Sequence, residues 1–213
     1  MRIVVESGSL GDLRQTELNR HLKILAQFVE RVANNGGEPR SLTMILRSAA
    51  SCPARALIAK AQDLASAGIS ARLVVAKLEP DQELRQLFTS LSELSPEQPA
   101  KDLIRWARNP RLLDAHEQVT YGASMCWSGD AMRRDADKRN ALNLFEPTAP
   151  GTARLGRLAF EALWSAATVV AERRLSGPAT AKPSGAHEGE TESRVAAVST
   201  LRPSLQGWPL VRH

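Results

Sequence analysis

Aromatic residues make up only 4% of this 213-residue chain, and there is a single tyrosine. A core for this length must therefore be aliphatic, drawn from the 43% hydrophobic fraction. Cysteine is equally scarce. Cys52 and Cys126 are the only two, which excludes a disulfide scaffold, and neither stands in a CxxC or Cys/His zinc spacing. They are expected to be buried free thiols in a reducing cytoplasm. No run of about 18 apolar residues occurs, so no membrane span is expected. The opening "MRIVVESGSLGDLRQTE" carries acids and no long apolar core, so no signal peptide is expected either. A Walker loop, a GxGxxG fingerprint and a GxSxG turn are all missing. No cofactor and no metal site are expected, and no internal repeat is found.

What is present is a succession of amphipathic and apolar segments. Residues 16–33 place Leu18, Leu22, Leu25, Phe28, Val29 and Val32 at helical spacing. His21 falls on the flank of that helix and reads as a surface histidine. "SLTMILR" (41–47) reads as a buried strand. Pro53 fits the first turn of a helix, with Ser51 or Cys52 near its cap and Gly68 at its end. "ISARLVVAKL" (69–78) is a second buried strand. Strand, helix and strand in so short a span predict a right-handed parallel crossover. Helices are predicted for 80–94, for "KDLIRWA", for "DADKRNALNLFE" and, longest of all, for 152–175, with Leu155, Leu158, Ala159, Ala162 and Val169 on its apolar face. "LLDAHEQVTYG" reads as a strand. The expected fold is a single α/β domain with a mainly parallel sheet flanked by helices. The expected divisions are an N-terminal helical segment (1–40), the α/β domain (41–175) and a disordered tail (176–213), poor in residues to bury. In that tail Val195, Val198 and Trp208 are apolar residues able to dock.

Chemistry crowds into residues 105–134, which hold five arginines, two tryptophans, one histidine and two aspartates. Ligands of open α/β sheets bind beyond the carboxyl ends of strands, which directs attention to 48–53, 79–81 and 122–134. The last offers Ser128, Gly129 and Asp130, followed by Arg133 and Arg134 at the start of a predicted helix, where amides and guanidinium forks favour an anion. Arg105, Arg108 and Arg111 stand at about three-residue spacing beside Trp106, a mixture that also suits nucleic acid. The net charge of +5 permits a polyanion without requiring one.

The order of segments from 41 to 146 resembles one half of a phospholipase D-like domain. "HEQVTYGASMCWSGDAMRRDADKRNALNLFE" is similar to that family's HxK strand, its Gly-Ser turn and the helix beyond. The resemblance implies that His116 stands at the nucleophile position, while the phosphate-holding lysine is replaced by Gln118. The motif aspartate falls on Ala123, and the Gly-Ser and Asn positions correspond to Ser128, Gly129 and Asp130. Glutamine cannot supply the cation that stabilises a phosphoryl transition state. Family members also need two such motifs and this chain holds one, so catalysis would require a homodimer. The expectation is a degenerate phospholipase D-like domain that binds a phosphate-bearing ligand or partner without turnover, using Gln118, Ser128, Gly129, Asp130, Arg133 and Arg134. The alternatives are a dimeric phosphodiesterase or nuclease working through His116, and a structural or protein-interaction domain.

Overall fold

The computed structural model describes residues 10–134 and 142–176. The tail from 177 onward and the charged segment 135–141 lie outside the described residues. The expected disordered tail and the first part of the helix expected over 135–146 fall in these segments.

The first helix, α1 (Leu10–Asn34), buries Ile24, Leu25, Phe28 and Val32, the stripe its periodicity predicts. β1 (Ser41–Leu46) leads into α2 (Cys52–Ser66), which begins at Pro53 and ends where Gly68 takes φ 66°. β2 (Ser70–Val75) lies parallel to β1 with Leu46 opposite Val75. α3 (Asp81–Leu94) and the single turn α4 (Ala100–Leu103) then lead to β3 (Ile104–Trp106), parallel to β2. The helix expected over "KDLIRWA" thus stops at Leu103. Ile104 and Trp106 favour the extended chain and find the free edge of β2.

From here the sheet departs from the mainly parallel expectation. A 3-10 turn, Pro110–Asp114, carries the chain back across the sheet to β4 (His116–Tyr121), which pairs antiparallel with β1 on the side away from β2. β5 (Met125–Ala131) and β6 (Asn143–Glu146) follow as antiparallel neighbours. Gly122 makes the first reversal at φ 55°, and Arg157 Nη1 donates to its carbonyl at 2.7 Å. Residues 143–146 are therefore a strand, and not the end of a helix. Arg133 and Arg134 sit in the turn after β5. The sheet order is β6-β5-β4-β1-β2-β3-β7, with four antiparallel pairings against two parallel ones.

The helix expected over 152–175 is also divided. α5 (Pro150–Ala166) ends at Ala167, and Thr168–Val169 form β7 on the outer edge of β3 before α6 (Glu172–Ser176). Thr168, Val169 and Val170 are β-branched and lose rotamer freedom in a helix, so an available strand edge decides their conformation. The buried residues of α5 are Ala153, Gly156, Phe160, Leu163 and Trp164. The apolar face named from the sequence points the other way: Leu155, Leu158, Ala159, Ala162 and Val169 are exposed.

The two sheet faces are covered unequally. One carries the larger core, with residues of α1, α2, α3, α4 and α6. On the other, among the described residues, α5 is the only α-helix that joins the core, through Phe160, Leu163 and Trp164 on Ile45, Val74 and Met132. Its approach to β4 depends on Gly156, where an added Cβ would lie 2.6 Å from Thr120 Oγ1 and 3.0 Å from Gln118 Nε2. Gly156→Ala is expected to destabilise the fold by about 1–3 kcal/mol, as overpacking does. Urea denaturation measures it, and an unchanged midpoint would show that α5 does not dock this closely.

Candidate functional site

Pleating puts successive side chains of β4 on opposite faces of the sheet. His116, Gln118 and Thr120 face α5, whereas Glu117, Val119 and Tyr121 face α1 and α2. The residues that resemble the phospholipase motif and a cavity of about 620 Å³ therefore lie on different sides.

On the α5 side, His116 is exposed at the start of β4. Its Nδ1 lies 2.8 Å from the Gly129 carbonyl. A carbonyl can only accept, so Nδ1 carries the proton and Nε2 bears the lone pair. Gln118 is the register partner of Ser128 and donates through Nε2 to Cys126 Sγ at 3.4 Å. Gly129 packs against the indole of Trp127, where an added Cβ would come within 2.6 Å of Cη2. Asp130 is buried. Its Oδ1 accepts from the Leu142 amide at 3.2 Å and its Oδ2 pairs with Arg134 at 2.8 Å. Arg133 pairs with Asp114 at 2.8 Å, both exposed. The structure thus brings His116, Gln118, Ser128 and Gly129 together on two strands, and it engages both arginines with carboxylates.

The three arginines read as a basic patch do not share a helix face, because the chain is extended beyond Leu103. Arg105 donates to the Trp164 carbonyl at 2.8 Å and stacks over that indole at 4.5 Å, which fastens α5 to the sheet. Arg108 stacks over Trp106, and Arg111 is exposed on the 3-10 turn.

On the opposite face a cavity of about 620 Å³ opens at the carboxyl end of β1. It is lined by Arg14 and Glu17 of α1, Arg47 and Ser48 after β1, Ser51, Cys52 and Arg55 at the start of α2, Glu83 of α3, and Glu117 and Trp127. Here the chain leaves β1 through α2 toward β2, and the start of the antiparallel neighbour β4 arrives at the same end of the sheet from the 3-10 turn. The floor of the cavity is an ion pair. Glu117 and Arg47 are only 2% and 7% exposed. Glu117 Oε2 meets Arg47 Nε and Nη2 at 2.5 Å each, and Oε1 accepts from the Arg47 amide and from Ser51 Oγ at 2.9 Å each. Ser51 is the N-cap residue by position, but its hydroxyl makes no capping bond to the helix and goes to Glu117 instead.

Neither cysteine is activated. Burial pushes the Cys52 thiol up to about 11 and raises that of Cys126 as well, so both stay protonated at neutral pH. Among the described residues no cluster of His, Cys, Asp and Glu could hold a metal, and no helix is long and apolar enough to cross a membrane.

Sequence reasoning singled out the loop 48–53 but did not connect it with Arg47 and Glu117. The available signal was a cation closing an apolar strand and a carboxylate alternating with the inward residues Val119 and Tyr121. It also placed His21 on the surface. His21 is fully buried, sits edge-on to Trp127 with ring centroids 4.6 Å apart, and neither nitrogen has a partner. Burial, with Arg20 nearby, lowers its pKa to about 4. The unfolded chain then binds a proton near 6.5 that the folded chain refuses, so stability is complete above pH 6.5 and falls as the pH drops toward 4. The loss should reach about 3 kcal/mol. His21→Phe should flatten this part of the stability profile in denaturant titrations between pH 7 and 4, and an unaltered slope would refute the assignment.

Comparison of the chain with protein-family models, with curated proteins and with solved structures finds no match.

Proposed function

We propose that the chain is a degenerate phospholipase D-like domain that holds a phosphate-bearing ligand without turning it over, and that the ligand enters the crevice at the carboxyl end of β1. The observation that carries the reading is the cavity of about 620 Å³ at the carboxyl end of β1, whose lining includes Arg14, Arg55 and the first turn of α2 over a floor formed by the Arg47–Glu117 pair. First-turn amides and planar guanidinium forks are the groups that recognise phosphate oxygens. Glu117 is already neutralised by Arg47. Glu17 and Glu83 remain in the lining, so the site carries both signs of charge. That suits a phosphate ester bearing hydroxyl or ammonium groups better than bare phosphate.

The absence of turnover is argued from the α5 face. Phosphoryl transfer through His116 needs a cation beside the transferring group. Gln118 stands where the family has lysine and gives its amide to Cys126, while Arg133 and Arg134 are paired with Asp114 and Asp130. The alternative, a dimeric phosphodiesterase, draws its support from His116, which is exposed and whose Nδ1 donates to the Gly129 carbonyl, so that in the neutral ring Nε2 is the nitrogen with a lone pair, as a nucleophile requires.

Two measurements separate these readings. Binding of phosphate, sulfate and simple phosphate esters should weaken by about tenfold or more in Arg55→Ala with Arg14→Ala, a loss of about 1.4 kcal/mol, and stay unchanged in Arg133→Ala with Arg134→Ala. The reverse pattern, or no binding by the natural chain, would defeat the proposed location. A generic phosphodiester should not be hydrolysed by the natural chain. Hydrolysis that His116→Ala abolishes and Gln118→Lys accelerates would establish the enzyme instead.

A further inference from the structure

α5 has two apolar faces and one polar flank with Arg154, Arg157 and Glu161, yet the sheet covers only one of the apolar faces. With a rotation of about 100° per residue, Gly151, Leu155, Leu158, Ala159, Ala162 and Ala166 all fall within roughly 50° of one line along the outer surface. All six are exposed, Leu155 by 67% and Leu158 by 57%. Leu144, 50% exposed, lies on the same sheet face as α5, since its register partner is Ser128. Along α5 this is a continuous exposed stripe of leucine, alanine and glycine, and exposed apolar stripes of this kind mark interaction surfaces. Its small residues allow another helix to approach closely.

We propose that this stripe is covered by the same stripe of a second copy, with the two α5 helices antiparallel about a two-fold axis passing between Leu158 and Ala159. The stripe is symmetric about that point. Leu155 would face Ala162 of the other copy, and Gly151 would face Ala166, so each leucine meets a small residue. The flanking charges fit the same operator. Arg154 and Glu161 lie two turns apart on one flank, and antiparallel pairing sets Arg154 of each copy beside Glu161 of the other, twice. Glu161 is exposed and uses Oε1 for Arg72, which leaves Oε2 for the incoming arginine. Two such stripes bury an area near the lower limit of a specific interface, so the dimer should be weak, with a micromolar dissociation constant.

Sedimentation velocity on the full chain should show a monomer–dimer equilibrium over a concentration series. Leu155→Glu with Leu158→Glu, both at exposed positions, should raise the dissociation constant by about tenfold or more while circular dichroism and thermal midpoint stay unchanged. Register is read by oxidation in a Cys52→Ser background. Ala159→Cys, next to the axis, should form a disulfide-linked dimer. Gly151→Cys should not link to itself but should link to Ala166→Cys in a mixture. A monomer at every concentration would overturn the proposal, as when residues 195–211 of the same chain cover the stripe. So would a dimer indifferent to the two glutamates, or equal self-linking at 151 and 159.

Discussion

The carboxylate of Glu117 and the guanidinium of Arg47 are buried where the parallel strands β1 and β2 give way to the antiparallel neighbour β4, and the arrangement of the crevice follows from their pairing. Taking two charges from water is costly, and the attraction between them offsets the cost only if every oxygen and N–H of the pair is well used. Here both carboxylate oxygens are occupied, by the side chain and amide of Arg47 and by Ser51. The contact therefore joins the end of β1, the start of β4 and the first turn of α2. It holds open a cleft that the main chain has already created by running from β1 to β2 on one side and returning to β4 on the other.

The same strand divides its side chains between the two faces of the sheet. Its even-numbered residues, His116 and Gln118, face α5. Its odd-numbered residue Glu117 faces α1 and α2. A sequence motif read along β4 mixes the two sets, and only the pleat separates them. The α5 side is crowded by close packing at Gly156. The α1–α2 side has room for a small molecule.

Much of the first half of the fold was legible in the residues. The stripe Leu25, Phe28 and Val32, Pro53 at a helix start, Gly68 at its end and two apolar runs gave α1, β1, α2 and β2 nearly as they stand, because local spacing and capping agree with the final packing there. The second half was less legible, and for identifiable reasons. "MCWSGDA" alternates Met125, Trp127 and Gly129 inward against Cys126, Ser128 and Asp130, a strand pattern hidden by its polar and small residues. Thr168 and Val169 continue a helical pattern but are claimed by the edge of β3, a tertiary preference that no local rule carries. α5 has two apolar faces, so periodicity alone could not say which one meets the sheet. Of the site, the loop 48–53 was visible as a strand-end position. Its partnership with Glu117 spans about seventy residues of sequence and required the register of β4 on β1.

A crevice built on a buried pair has an energetic signature that a surface pair lacks. A double-mutant cycle by urea denaturation, with Arg47→Met, Glu117→Gln and both together, reads it directly. Each single change should cost about 3–5 kcal/mol, because it leaves a buried charge without its partner. The double variant should lose markedly less than the sum of the two, with a coupling of more than about 1 kcal/mol. Additive and small losses would contradict the account, since they would mean that Arg47 and Glu117 are solvated independently and that the floor of the crevice is not the tie that organises it.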